Sequence, residues 1–133
     1  MIVEHAAWTV ADPEPMVEWY CRNLGMSVAR KVGGPARTHF LADSTGRVLL
    51  EVYRNPRVDP PIYAEMSPLA LHLAFAVADV RAERDRLLAA GAKPEGGVDV
   101  TPAGDEMAML RDPWGFCIQI LKRAQPMGNV PGV

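Results

Sequence analysis

The chain has 133 residues, 49% of them hydrophobic and 23% charged, with a formal net charge of −2. That is ordinary single-domain composition, which excludes a disordered or fibrous protein, and the charge balance offers no basic stripe for nucleic acid. No apolar run reaches the roughly 18–20 residues of a membrane span, no signal pattern opens the chain, and two cysteines are too few for a disulfide framework, so a soluble cytoplasmic protein is expected.

Residues 2–10 alternate as a strand with one buried face. Asp12 is placed to cap a helix that starts at Pro13, carries Met16, Val17, Tyr20 and Leu24 at helical spacing, and stops at Gly25. Residues 26–31 turn extended, Gly33-Gly34-Pro35 interrupts them, and 37–42 resume. Asp43-Ser44-Thr45-Gly46 has the Asp-first, Gly-fourth signature of a type I turn, which folds 47–53 back antiparallel. One β-α-β-β-β module, residues 1–55, is complete at that point.

Four prolines mark 56–68 as a linker. The second module, 69–123, repeats the first: a strand at 72–78, a helix capped by Asp79 and closed by Gly91, a short strand near 98–100, another at 106–111, the turn Asp112-Pro113-Trp114-Gly115, and a last strand at 116–122. Residues 124–133 read as a loose tail or an arm onto a neighbour.

The repeat is exact enough to align residue by residue. His5-Ala6-Ala7-Trp8-Thr9-Val10-Ala11-Asp12 and His72-Leu73-Ala74-Phe75-Ala76-Val77-Ala78-Asp79 share one pattern, H-x-A-aromatic-x-V-A-D. Period-2 alternation puts each histidine on a face with small residues only, leaving space around the imidazole. The matching positions of the last strands are Glu51 and Gln119, 46 and 47 residues beyond their histidines, both among apolar neighbours. A carboxylate in such a stretch is costly unless paired, hydrogen-bonded or bound to metal. Two readings follow. His5, Glu51, His72 and Gln119 are a ligand set for one divalent transition metal with open positions for substrate, or the histidines are satisfied core residues and Glu51 meets an arginine. Duplication of all four favours the metal. His39 has no counterpart in the second half and reads as a surface strand position. Cys21 and Cys117 read as inert, Met107 and Met109 as pocket lining or core filler, and Arg81, Arg84 and Arg86 as a solvated helix face.

On these residues, with Tyr20-x3-Leu24-Gly25 and Asp112-Pro-Trp-Gly115, the chain resembles the vicinal oxygen chelate superfamily over about residues 1–122. The superfamily includes glyoxalase I, methylmalonyl-CoA epimerase, extradiol dioxygenases and the fosfomycin- and bleomycin-resistance proteins. The resemblance implies an α+β fold of two tandem βαβββ modules, curved mixed sheets forming a cup and helices outside. It implies a divalent ion (Zn, Ni, Mn, Co or Fe) on His5, Glu51, His72 and Gln119. It further implies a lyase or isomerase that forms an enediolate-type intermediate, with Glu51 as base because the commoner second-module glutamate is here Gln119. Metal-free ligand sequestration and iron-dependent ring cleavage are the alternatives. A homodimer is expected, since module edges need covering and the linker could let modules pair within one chain or across two.

Overall fold

A computed structural model of the chain describes residues 1–127; residues 128–133 of the tail lie outside the described part. Contacts divide the chain into two units, Met1–Pro61 and Ile62–Val133. Each unit is one βαβββ module, so the α+β class and the tandem repeat are as the sequence predicts.

The first unit orders β1 (Ala6–Thr9), α1 (Pro13–Asn23), β2 (Ser27–Val32), β3 (Thr38–Ala42) and β4 (Val48–Tyr53) into a sheet β1-β4-β3-β2. β1 runs parallel to β4, and the other pairs are antiparallel. The parallel pair requires a long crossover, and α1 lies within it. Leu41 faces Leu50 and His39 faces Val52 across β3 and β4. These four are buried with Met16, Val17 and Tyr20 of α1. Each such apolar side chain removed from water contributes about 1.5–3 kcal/mol. The opposite face carries Ala7, Glu51 and Phe40 in register.

Three details differ from the sequence reading. β1 starts at Ala6, and Met1–Val3 are exposed, with no packing to hold them extended. Asp12 makes no cap hydrogen bond with its side chain; Arg37 Nη1 donates to it at 2.7 Å and also to Glu14 at 2.7 Å, bridging the start of β3 to the start of α1. His39 is 3% exposed, not a surface residue, because its register with Val52 turns it toward the helix. A backbone carbonyl satisfies it: Nδ1 donates to Arg37 O at 2.9 Å.

The second unit repeats the order with β5 (Leu73–Ala76), α2 (Val80–Ala89), β6 (Lys93–Val100), β7 (Glu106–Arg111) and β8 (Cys117–Lys122), in a sheet β5-β8-β7-β6. Here Asp79 does cap its helix, accepting from Ala82 N–H at 3.0 Å. Val80 and Leu87 of α2 are buried with Ala108, Leu110, Ile118 and Ile120. β6 is longer than expected. Pro94 is tolerated at the sheet edge, and Gly96, at φ +90°, opens a bulge between Glu95 and Val98.

The linker is not uniform. Residues 63–65 form a 3₁₀ turn bound to the second module. Tyr63 packs edge-on against Phe116, with ring centroids 5.1 Å apart. Arg111, 9% exposed, donates to the carbonyls of Tyr63 (2.9 Å), Met66 (2.8 Å) and Gly115 (3.0 Å), and to Glu95 Oε2 (2.7 Å). Gly115 comes so close to Ala64 that a Cβ there would lie 2.6 Å from the Ala64 methyl.

Candidate metal and substrate site

The open face of each sheet carries one half of the duplicated polar set. In the first unit Ala7 is the register partner of Glu51, and His5 stands two residues before Ala7. That geometry brings His5 Nε2 to 3.2 Å from Glu51 Oε2. In the second unit Ala74 is the register partner of Gln119, and His72 stands two residues before Ala74. The alignment read from the sequence is therefore the alignment of the strands. Neither histidine lies within its strand as expected; each is the residue just before it.

The polar partners set the imidazole tautomers. Pro68 O can only accept, so the 2.7 Å bond to His72 places the proton on Nδ1 and leaves the Nε2 lone pair free. His5 Nδ1 meets the Glu4 carboxylate, which likewise holds a proton on that nitrogen. That hydrogen bond raises the His5 pKa above its ordinary value, with burial opposing and Glu51 adding to the rise. The face around His5 is not made of small residues alone: the Phe40 ring meets the imidazole at 79°, centroids 5.4 Å apart. Phe40 holds the ring's attitude.

In the first half the two donors are spaced as two ligands of one divalent ion would be. Ligand atoms about 2.0–2.2 Å from one ion at tetrahedral angles lie about 3.3–3.6 Å apart, close to the 3.2 Å between His5 Nε2 and Glu51 Oε2. Among the described residues no group of three or more His, Cys, Asp or Glu side chains is gathered for a metal. Each half alone offers two donors.

The second sheet also holds a cavity of about 370 Å³, lined by His72, Ala74, Ala76, Gln119, Leu121, Arg123, Pro126 and Met127. The volume suits a small molecule. Sequence reasoning missed Arg123, although counting alternate residues on from Gln119 and Leu121 reaches it. It also missed Pro126 and Met127 as lining. Met109 is the register partner of Gln119, and Met107 Sδ lies 3.8 Å from Gln119 Nε2, so Met107 and Met109 do share the site face. Cys117 and Cys21 have thiol pKa values raised by burial, consistent with unreactive thiols.

Two open-faced mixed sheets, each with a histidine beside its first strand and a polar residue on its last, define a duplicated βαβββ scaffold. The chain belongs to the Glyoxalase/Bleomycin resistance protein/Dioxygenase superfamily, whose model matches residues 2–120. Among solved structures, SMU.1112c is 30% identical, with a TM-score of 0.70 over 92% of this chain and 98% of that one. Glyoxalase I from Zea mays is 23% identical with a TM-score of 0.69; the match covers 92% of this chain but only 44% of the maize protein. TioX from Micromonospora sp. ML1 is 21% identical, TM-score 0.67, covering 92% and 99%. No curated protein matches the chain. Among the described residues no helix is long and apolar enough to cross a membrane.

Proposed function

We propose that the protein is a metal-dependent lyase or isomerase of the glyoxalase kind, acting on a small substrate that chelates through two neighbouring oxygens. The observation that carries this reading is the repeat of His-x-Ala opposite Glu51 and opposite Gln119, on the open face of both sheets. His5, Glu51, His72 and Gln119 are the proposed ligands, joined when two modules pair, within one chain or between two chains of a homodimer. Bound there, a divalent ion would stabilise the negative charge that develops on substrate oxygen as an enediolate forms.

The chain's own groups do the rest. Glu51 is the carboxylate of the set, and it takes the proton from the substrate C–H. His5, held by Glu4 and Phe40, keeps Nε2 directed at Glu51. Gln119 supplies a neutral amide oxygen, so the set carries one negative charge against the ion's two. The net positive site favours an anionic substrate or intermediate.

Exchange of C–H protons into D₂O, followed by NMR over a panel of small α-hydroxycarbonyl compounds with added divalent metal, tests the chemistry without presuming the product. Exchange that Glu51→Gln abolishes supports the reading. Absence of exchange across the panel, with metal loaded, contradicts it. A metal-free binding protein is the second reading, and the largely apolar lining of the cavity favours it.

A further inference from the structure

The lining of the cavity contains one formally charged side chain, Arg123, and no carboxylate. Asp105 holds this guanidinium from behind: Arg123 Nη1 donates to Asp105 Oδ2 at 2.8 Å, while Asp105 Oδ1 accepts from Ala124 N–H at 2.9 Å. One donor is thereby used and the group is fixed in place. Arg123 Nε is buried and has no acceptor among the described residues. A buried donor without a partner is costly, and such atoms are commonly satisfied by water or ligand. Nε is closed to water, so an incoming oxygen reaches it with a local shift of the lining.

Beside Arg123 the cavity offers His72 and Gln119 as polar groups and Ala74, Ala76, Leu121, Pro126 and Met127 as apolar walls. We infer that this cavity binds a small carboxylate bearing a short apolar chain, with the carboxylate on Arg123 and the chain against the apolar walls. Arginine suits a carboxylate because its planar fork makes two parallel, charge-assisted hydrogen bonds. The inference shares His72 and Gln119 with the proposed metal site but does not require a bound ion.

The test is an NMR titration of the full-length protein, labelled with ¹⁵N, against butyrate and its neutral analogue butyramide. Excess chelator is present, so that carboxylate affinity for a metal plays no part and failure of the metal reading leaves the result intact. Butyrate is expected to shift the Arg123 Nε–H and Gln119 side-chain amide signals saturably, binding at least about tenfold more tightly than butyramide. Arg123→Gln should erase that preference, and Arg123→Lys should keep part of it. Equal binding of the two probes, no saturable binding of butyrate, or an unchanged preference in Arg123→Gln would overturn the inference. Should Arg123→Gln fail to fold, the comparison of the two probes on the unaltered protein decides.

Discussion

Glu51 and Gln119 occupy equivalent places in two copies of one motif, but only one of them can hold a negative charge. An amide oxygen is the weaker ligand, so Gln119→Glu should tighten binding of a divalent ion, measured by competition with a chromophoric chelator. His39→Ala should leave metal binding unchanged, since the side chain lies on the helix-covered face and is satisfied by Arg37 O. Asp105 gives a pH-dependent prediction. The Ala124 N–H, then Arg123, lowers its pKa from the ordinary carboxylate value of about 4. Its stabilising effect is therefore complete above that range and is lost as pH falls through the depressed pKa. Asp105→Asn should lower Tm at neutral pH, and the difference from the unaltered protein should shrink as pH drops below about 4.

The elements divide into those the sequence reveals and those it hides. Period-2 alternation and the two turn signatures place β1, β4, β5 and β8, and the repeat fixes which faces their polar residues share. Only the end of β6, near 98–100, is legible; its first part is hidden because Pro94, Gly96 and Gly97 break the alternation that marks a strand. The face of His39 depends on its register with β4, which is irregular beside Leu41, and no local pattern encodes that. The turn at Tyr63–Glu65 is hidden because its fixing partner, Arg111, comes from a strand 45 or more residues later. Removing that partner strands buried carbonyls and Glu95. Arg111→Met should lower the free energy of unfolding in urea by about 3 kcal/mol or more. Gly115→Ala should cost about 2–4 kcal/mol, since φ is +89° and a methyl would collide with Ala64. The helix starts differ in the same way. Asp79→Ala should cost about 1 kcal/mol through its lost cap, and Asp12→Ala should cost less, because Asp12 is part of an exposed ion pair.

At the scale of the molecule, two modules each present half of the proposed donor set, and the proposed activity requires the halves to meet. A homodimer that brings them together should sediment as a dimer at micromolar concentration; a stable monomer that is fully active would assign the pairing to a single chain. The proposed activity depends on whether the four proposed donors hold a metal. Mass spectrometric metal analysis should be made on protein purified without added metal, beside Glu51→Gln prepared identically. The unaltered protein should carry a stoichiometric divalent ion, and Glu51→Gln should show marked loss of it. A folded protein that carries no metal and gains neither stability nor activity from added ions would contradict it, as would equal metal content in the two proteins.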